Sequence, residues 1–331
     1  MIKTSILITG ANGEMGHGLI KSLNKDFNKN IITLDINQID QSIETYILES
    51  FKGSILDDKI LDAITDKYQI TEIYHLAALL SSKAESSPDL AQQVNVGGTV
   101  KLLNMAIEQS KNQNKKIKFF FPSSIAVYGL KGLKNKIKAG KITEQEHCFP
   151  ETMYGCNKLY CEHLGRYYSL YYKSGSIDFR SIRFPGLISA HTMPTGGTTD
   201  YAPEMLHAAA TNKQYTCFVS ENTKLPFMMM DDAIDAIIKL MKTDQKYLTE
   251  MIYNIGSFSV SALEFKNIIN KEFKSAKIIF KVNEKKQAMV NSWPEDVDYS
   301  CAKKDWNFSP KLNFEKSFLD YLIPSVRRKY E

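Results

Sequence analysis

The sequence predicts an α/β fold in which a doubly wound parallel sheet is joined to a smaller mixed α/β region. Through the first half of the chain, short apolar runs alternate strictly with longer amphipathic segments. This alternation is typical of repeated strand–helix–strand units, which build parallel sheets covered by helices on both faces. The alternation ends after residue 184, so a separate region is expected beyond that point.

Five apolar runs are the candidate strands of the sheet, at residues 5–10, 30–36, 72–78, 117–124 and 177–184. The candidate helices between them carry apolar residues at helical spacing, at residues 14–27, 57–68, 88–110 and 154–174. Residues 185–225 are expected to be rich in loops, and residues 226–258 to return to a helix and a strand. The remaining residues, 259–331, are predicted to form a mixed α/β tail.

The composition argues against several classes of protein. The 331 residues contain no run of about 18 apolar residues, so no membrane-spanning helix is expected. Much of the net charge of +5 comes from lysines at 111–118 and 131–141, which lack the interleaved aromatic residues of a nucleic-acid site. Five cysteines and six histidines show no ligand spacing, so neither a metal nor a disulfide framework is expected. The chain begins with a strand-like run, so a cytoplasmic protein is expected, or a mitochondrial matrix protein if a presequence has been removed.

Three glycines follow the first apolar run, where the first helix is expected to begin. Gly10 permits a tight turn, Gly13 lets the backbone approach a phosphate, and Gly16 lets the helix pack closely on the strand. Backbone amides at the helix N-terminus and the helix dipole favour a pyrophosphate there. The sequence therefore predicts a Rossmann-type dinucleotide site, which also includes the neighbouring residues Asn12, Glu14 and Met15.

Two acidic positions bear on the identity of the dinucleotide. Asp35 ends the second predicted strand, 19 residues after Gly16, where a carboxylate accepts both ribose hydroxyls and repels a 2′-phosphate. No arginine follows Asp35 closely, so NAD is favoured over NADP as the cofactor. Asp57, with Leu56 beside it, could contact the adenine, or it could instead be the N-cap of the next helix.

Tyr154 and Lys158 are four residues apart on a predicted helix, so both side chains lie on one helical face. A nearby ammonium favours the ionised form of a phenol, which turns a group with a pKa of about 10 into a base near neutral pH. Ser124, at the end of the neighbouring strand, could hold a substrate hydroxyl. The sequence thus predicts a base, its cationic partner and an orienting hydroxyl behind a dinucleotide site.

Five short motifs together resemble the extended short-chain dehydrogenase/reductase superfamily. They are TGxxGxxG at residues 9–16, HLAA at 75–78, NVGGT at 95–99, SSIAVYG at 123–129 and YxxxK at 154–158. The resemblance implies that the catalytic trio is Ser124, Tyr154 and Lys158.

The same resemblance implies that Ala77 and Ala78 line the path of the cofactor and that Asn95 supports the central helix. It also suggests a division of the chain by role. Residues 1–184 plus 226–258 are expected to form the NAD-binding Rossmann domain. Residues 185–225 plus 259–331 are expected to form the substrate-binding region.

Five longer segments resemble the NAD-dependent L-threonine 3-dehydrogenases of that superfamily. They are AALLS at residues 77–81, RFPGLIS at 183–189, GGTTDYA at 196–202, LPFMMMDDAIDA at 225–236 and NSWPEDVDYSCAKKDWNF at 291–308. By this resemblance, Ser81, Thr198 and Thr199 contact the substrate, and Gly186 and Leu187 lie near the nicotinamide. The sequence departs from the family pattern at three positions, where glycine, aspartate and arginine are replaced by Thr195, Tyr299 and Lys303 respectively.

Several of these positions also have a structural interpretation. Met228 to Met230 are expected to pack in the core. Trp293 either anchors the tail or has a functional role, and Ser81 either contacts the substrate or only stabilises its loop. Asp200 either is the N-cap of a helix that begins at Tyr201 or acts in the site.

The resemblance implies oxidation of the side-chain hydroxyl of L-threonine to 2-amino-3-oxobutyrate, with reduction of NAD, in threonine catabolism. One alternative is an NAD-dependent nucleotide-sugar epimerase or dehydratase with the same trio. However, residues 185–212 contain no lysine or arginine to hold a diphosphate sugar. A second alternative, a non-catalytic cofactor-binding regulator, would be expected to lack Tyr154 or Lys158. The superfamily also leads us to expect a homodimer built on the two long helices, around residues 90–110 and 154–173.

Overall fold

The computed structural model describes residues 3–27, 29–173, 175–189 and 197–330, apart from the side chains of Asp26 and Phe27. The strands of this part of the chain are β1 (Lys3–Thr9), β2 (Ile31–Asp35), β3 (Glu49–Lys52), β4 (Tyr68–His75), β5 (Ile117–Ser124), β6 (Lys141–Ile142), β7 (Ile177–Phe184), β8 (Gly186–Ile188), β9 (Gln214–Cys217), β10 (Lys224–Met229), β11 (Ile252–Asn254), β12 (Phe258–Ser261), β13 (Lys277–Phe280) and β14 (Asp296–Val297).

The helices are α1 (Glu14–Phe27), α2 (Gln41–Glu44), α3 (Asp58–Lys67), α4 (Ser81–Ser86), α5 (Pro88–Ala91), α6 (Gly98–Gln113), α7 (Leu133–Ala139), α8 (Met153–Leu170), α9 (Tyr201–Ala210), α10 (Met230–Lys242), α11 (Ala262–Glu272), α12 (Glu284–Ser292), α13 (Ser300–Trp306), α14 (Phe314–Lys316) and α15 (Ile323–Tyr330). A π-helical turn, Gln92–Gly97, joins α5 to α6, and a second one, Ser317–Leu322, joins α14 to α15.

The main sheet has seven strands in the order β11-β7-β5-β4-β1-β2-β3. Strand β1 pairs in parallel with both β2 and β4, and the outward pairs β2–β3 and β4–β5 are parallel as well. The strand order reverses direction between β1 and β4. In doubly wound sheets this reversal opens a crevice at the carboxyl ends of the strands, where dinucleotides bind. The predicted fold class is therefore confirmed.

The chain divides into two compact units. The first consists of residues 1–123, 156–183 and 234–253, and the second of residues 124–155, 184–233 and 254–331. The assignment of separate cofactor and substrate roles to parts of the chain stays a prediction.

The second unit contains small sheets of two or three strands. Strand β10 pairs in parallel with β8 and antiparallel with β12, which gives a three-stranded mixed sheet. Two further pairs, β9 with β13 and β6 with β14, are parallel. This agrees with the mixed α/β region that the sequence predicts beyond the main sheet.

Aromatic side chains fill much of the core of the first unit. The ring of Phe179 on β7 stacks on those of Phe119 and Phe121 on β5, with centroids 6.0 and 6.2 Å apart. All eight residues of β7 are buried, as expected for a strand covered on both faces. Half of these residues are polar, and the charged ones are buried in ion pairs, Arg180 with Asp178 and Arg183 with Glu162.

The segment 185–225 contains more regular structure than the sequence analysis expects. It includes β8, β9 and the ten-residue helix α9, most of whose residues are buried. Pro203 lies in the first turn of α9, where a missing backbone donor is tolerated. Proline close to glycines and threonines usually indicates a loop, so this helix was not predicted from the sequence. None of the helices in the described part of the chain combines the length and the apolar character needed to cross a bilayer.

Gly165 provides a test of packing between α8 and the sheet. A Cβ atom at this buried position would overlap the ring of Phe179. We expect Gly165→Ala to lower the free energy of unfolding by about 1–3 kcal/mol because of overpacking, measured by urea denaturation. The control is Gly97→Ala, because a Cβ there would only come 3.9 Å from Leu56. Equal stabilities of wild type and Gly165→Ala would contradict this account of the helix–sheet contact.

Candidate active site

The loop after β1 has the geometry of a phosphate-binding turn. Gly10 has a φ of +68°, and a Cβ there would lie 2.6 Å from the backbone nitrogen of Ala77. A Cβ at Gly16 would overlap the carbonyl of Ala11. Both positions therefore need glycine, one at the turn and one where α1 packs against the loop. The N-terminus of α1 begins at Glu14, just after Gly13, and presents backbone amides as an anion site.

Asp35 connects this loop to the end of β2. Its side chain is 8% exposed, and its two oxygens accept hydrogen bonds from the backbone amides of Asn12 and Asn37, both at 2.9 Å. A carboxylate has about four lone-pair sites, so both oxygens can accept further bonds from ribose hydroxyls. The Asn12 side chain also bridges to the next loop, since it donates to Gln38 and accepts from the backbone of Asp40.

Asp57 is the N-cap of α3. Its carboxylate accepts a hydrogen bond from the backbone amide of Lys59 at 3.0 Å. Of the two roles predicted for Asp57, N-cap and adenine contact, this is the N-cap role. Leu56 is half-buried and packs against the apolar core of the first unit.

Asn95 clamps the loop that follows β4. Its amide accepts from the backbone nitrogen of Leu79 at 2.8 Å and donates to the Leu79 carbonyl at 3.1 Å. It also donates to the side chain of Asn157, which precedes Lys158 on α8. The clamp fixes the segment that contains Ala77, Ala78 and the start of α4 at Ser81. Asn95 lies in the π-helical turn, a distortion often found at functional sites.

A buried line of hydrogen bonds links the phosphate loop to Asn95. The His75 ring lies 2.9 Å from the Thr9 hydroxyl and 3.0 Å from the Thr99 hydroxyl, which itself donates to the Asn95 carbonyl. Since Thr99 has only one hydroxyl proton, His75 must donate to it from Nε2 and accept from Thr9 at Nδ1. Burial, together with the charge of Lys158, lowers the pKa of His75 to about 3, so the ring is neutral.

Lys158 is 4% exposed and lies near the end of β5. Its ammonium donates to the carbonyl of Pro122 at 2.6 Å and lies 4.5 Å from the centroid of the Phe121 ring. Burial lowers the pKa of Lys158 to about 8, while Cys161 and Glu162 act in the opposite direction. Its ammonium is therefore easier to deprotonate than that of a solvent-exposed lysine.

Ser124 and Tyr154 belong to the second unit, where two backbone segments approach closely. Ser124 ends β5 and accepts a hydrogen bond from the backbone of Ala126 at 3.2 Å. A Cβ at Gly155 would overlap the carbonyl of Ala126, so only glycine lets α8 begin against the turn after Ser124. Tyr154 and Lys158 lie one turn apart on α8, as predicted.

Burial raises the pKa of Tyr154. This direction is opposite to the one that the sequence analysis expects from the lysine alone. The extent of burial could not be read from the spacing of the two residues. The spacing of Tyr154 and Lys158 alone therefore does not explain a phenolate at this position. Further positive charge close to Tyr154 is needed to lower its pKa.

The residues predicted to lie near the substrate are partly assembled in the second unit. Gly186 pairs with Phe227 across β8 and β10, and a Cβ at Gly186 would lie 2.6 Å from the Phe227 ring and 3.3 Å from Cβ of Thr199. Thr198 is buried, whereas Thr199 and Leu187 are partly buried.

Asp200 closes the turn that contains the two threonines. Its carboxylate accepts from the backbone amide of Gly197 at 2.7 Å, and the Gly197 carbonyl accepts from the amide of Asp200 at 3.1 Å. Asp200 occupies the N-cap position of α9 without a side-chain bond to the helix. Thr195, the departure from the family pattern, lies outside the described residues.

The three methionines of β10 and α10 and Trp293 are also buried. Met228 to Met230 lie in the core, which confirms the structural interpretation. Trp293 is 4% exposed, and its indole nitrogen has no hydrogen-bond partner among the described residues.

Three further residues, His75, Thr99 and Asn157, connect the predicted segments through their side chains but were not predicted individually from the sequence. The signal for His75 was its place at the end of an apolar strand, because a buried polar group requires hydrogen-bond partners. The partners themselves lie far away in sequence.

These residues fit a dinucleotide cofactor: a strand, a glycine turn that a Cβ would block, a helix N-terminus and a carboxylate at the end of the next strand. The backbone around Gly10 to Gly16 would hold the pyrophosphate, and Asp35 would hold the adenosine ribose.

Comparison with known proteins places this site in a family. A family described as NAD dependent epimerase/dehydratase matches residues 6–256. An uncharacterised epimerase/dehydratase of Staphylococcus haemolyticus is 36% identical over 326 residues, which cover 98% of both chains. A monomeric L-threonine 3-dehydrogenase from a metagenome database, solved in the apo form, is 35% identical, with a TM-score of 0.87 over 98% of this chain and 100% of that one.

The L-threonine dehydrogenase of Clostridium difficile is 33% identical, with a TM-score of 0.88 over 100% of this chain and 99% of that one. The family match covers the phosphate loop, the ends of the central strands and the Tyr154–Lys158 helix. The protein therefore belongs to the NAD dependent epimerase/dehydratase family.

Proposed function

We propose that this protein oxidises the side-chain hydroxyl of L-threonine to 2-amino-3-oxobutyrate, with NAD as the oxidant. The observation that carries the proposal is the placement of Tyr154 and Lys158 at the start of a helix that packs against the turn after Ser124. Similarity to solved L-threonine dehydrogenases over the whole length of the chain supports the choice of substrate.

Tyr154 is the proposed base. Its phenolate takes the proton of the substrate hydroxyl, Ser124 orients that hydroxyl, and Lys158 supplies a neighbouring positive charge. NAD, when bound, accepts the hydride from the substrate carbon and adds positive charge, so that L-threonine and NAD⁺ give 2-amino-3-oxobutyrate, NADH and a proton. Since burial raises the pKa of Tyr154, these positive charges are what make its phenolate accessible near neutral pH.

Substrate recognition is assigned to short polar groups. Ser81, Thr198 and Thr199 are the proposed partners of the amino-acid ammonium and carboxylate, and Gly186 and Leu187 the proposed neighbours of the nicotinamide. Asp200 acts in this proposal through the backbone, because its bonds to Gly197 hold the threonines in their turn.

The catalytic assignment is tested by Tyr154→Phe. We expect turnover of L-threonine to fall by about 10²–10⁴-fold because the base is lost, while NAD binding is retained. NADH absorbance reports turnover, and Tyr160→Phe is the control, since Tyr160 is an exposed phenol on the same helix. Unchanged turnover in Tyr154→Phe would remove the base from the mechanism.

The substrate assignment is tested by offering wild-type protein and NAD with L-threonine, L-allo-threonine, L-serine and UDP-sugars. NADH formation is expected with L-threonine and to a smaller extent with the other amino acids. Epimerisation of a UDP-sugar without reaction of L-threonine would support the nucleotide-sugar alternative instead.

The cofactor assignment is tested at Asp35. We expect Asp35→Ala to weaken NAD binding by about tenfold or more, since charge-assisted hydrogen bonds are lost. NADP binding should weaken less, because a repulsive charge is removed as well. Asp40→Ala is the control, because Asp40 caps α2 in the following loop. Isothermal titration with both nucleotides measures the ratio of affinities, and an unchanged ratio would contradict the role of Asp35.

We also propose that the protein forms a homodimer through α8. Apolar side chains at the end of this helix and directly after it are exposed, with Tyr167 49%, Leu170 40% and Tyr171 71% exposed. Contiguous exposed apolar surface is typical of protein interfaces. A second copy of the chain is the proposed partner, because antiparallel packing of equivalent helices buries such a face in both protomers.

Light scattering after size-exclusion chromatography tests the dimer. The wild type is expected at twice the mass of the 37.6 kDa chain, and the Tyr167→Glu/Tyr171→Glu variant at the monomer mass. Tyr247→Glu changes a tyrosine that is 59% exposed elsewhere and should leave the mass unaltered. A monomeric wild type would rule out this interface; one solved relative is described as monomeric.

A further inference from the structure

A buried carboxylate one turn beyond Lys158 has no part in the mechanism described above. Glu162 lies on α8, and its side chain is 1% exposed. Arg183 on β7 donates to its two oxygens at 2.8 and 2.6 Å, in the fork geometry of a strong bidentate pair. The Arg183 side chain is itself only 4% exposed. A buried carboxylate or guanidinium without such a partner would be strongly destabilising.

Glu162 also holds the end of β5. The Ser123 hydroxyl donates to one oxygen of Glu162, and the Lys158 ammonium donates to the carbonyl of Pro122. Two side chains one turn apart on α8 therefore hold two successive residues of β5. The next residue of that strand is Ser124, which is proposed to orient the substrate hydroxyl.

The same carboxylate fixes the end of β7. Arg183 is the penultimate residue of this strand, and the chain continues directly to Gly186 and Leu187, the predicted neighbours of the nicotinamide. Glu162 is thus the common partner of a residue near the end of β5 and one near the end of β7.

Charge around Lys158 is unevenly distributed. On its own helix lie Tyr154, Cys161 and Glu162, and from β4 it faces His75, which is neutral because its pKa is lowered to about 3. Burial raises the pKa of the Cys161 thiol to about 11, so this group too is uncharged near neutral pH. Among these groups Glu162 is the carboxylate, and from β7 its partner Arg183 brings a positive charge.

We propose that Glu162, held by Arg183, is a positioning residue that keeps Lys158 in its ammonium form and fixes the end of β5 behind Ser124. The inference rests on the proposed function, in which Lys158 is the cationic neighbour of the base. It adds a fourth side chain on which catalysis depends, although Glu162 itself need not touch substrate or cofactor.

The test is Glu162→Gln, which keeps the size and an acceptor for Ser123 but removes the negative charge opposite Arg183. We expect the pKa of Lys158 to fall by about one unit, as for the loss of a nearby opposite charge. The alkaline limb of the kcat profile should move to lower pH by the same amount. In Glu162→Gln/Arg183→Met both charges are absent, so the fall in pKa should be smaller.

The pKa of Lys158 can be measured without any substrate, by NMR titration of protein labelled at lysine Cε. Lys136 is a second buried lysine, whose pKa is lowered to about 8 by burial. The two signals are distinguished with the Lys136→Met variant. This measurement separates the inference from the proposed function, because it gives a result even if L-threonine is not oxidised.

The matched control is Asp178→Asn. Asp178 pairs with Arg180 on the same strand, at 3.0 and 2.6 Å, and Arg180 donates further to carbonyls near the end of α10. Breaking this pair, which is also buried, should reduce stability but leave the Lys158 titration unchanged. If Glu162→Gln does not fold, the double variant takes its place, and a smaller but measurable fall in the pKa of Lys158 is expected, because Glu162 rather than Arg183 acts on that pKa. A pKa of Lys158 that is the same as in wild type would overturn the proposal.

Discussion

The organisation of the first unit depends on one requirement: polar side chains buried at the carboxyl ends of parallel strands need hydrogen-bond partners. Thr9 on β1 meets His75 on β4, and Ser123 on β5 meets the same carboxylate as Arg183 on β7. The other partners, Thr99 on α6 and Glu162 on α8, belong to helices that cover the sheet. Their hydrogen bonds therefore fix each helix relative to the end of a strand. Unpaired groups at such depth would cost about 1–3 kcal/mol each. The edge of the sheet at which function is proposed is therefore held by polar contacts between strand ends and helices.

Local sequence patterns predicted the fold and the backbone features of the site. The glycine spacing gave the turn at Gly10, and the four-residue spacing of Tyr154 and Lys158 gave their common helical face. Periodicity gave the first helix with the bounds that the structure has. Local patterns could not predict the hydrogen bonds at the strand ends, because the partners are distant in sequence. Thr9 and His75 are 66 residues apart, and Arg183 and Glu162 are 21 apart. Local patterns could not predict the pKa of Tyr154 either, since burial depends on packing by the whole chain.

Two buried lysines show the same effect of environment at two places in the fold. Lys158 and Lys136 each donate to a main-chain carbonyl, of Pro122 and Val290 respectively, and burial lowers both pKa values to about 8. A carbonyl dipole compensates an ammonium less than a carboxylate does, so both lysines lose their protons more easily than exposed ones. Each also has a carboxylate that favours its ammonium form, Glu162 for Lys158 and Glu295 for Lys136. They differ in position, because Lys158 lies in the proposed site, whereas Lys136 ties α7 to the last turn of α12.

The π-helical turn at Gln92–Gly97 has a consequence for how the chain can change. A regular helix rotates by about 100° per residue. The added residue of the π turn therefore determines the direction in which every side chain of α6 points. Leu102, Leu103 and Ala106 point into the core only in the present register. A deletion within this turn would give a more regular helix but would rotate those side chains towards water and move Asn95 away from Leu79. The number of residues between α5 and α6 is thus constrained as well as the identity of Asn95, and length variation among relatives should fall outside this segment.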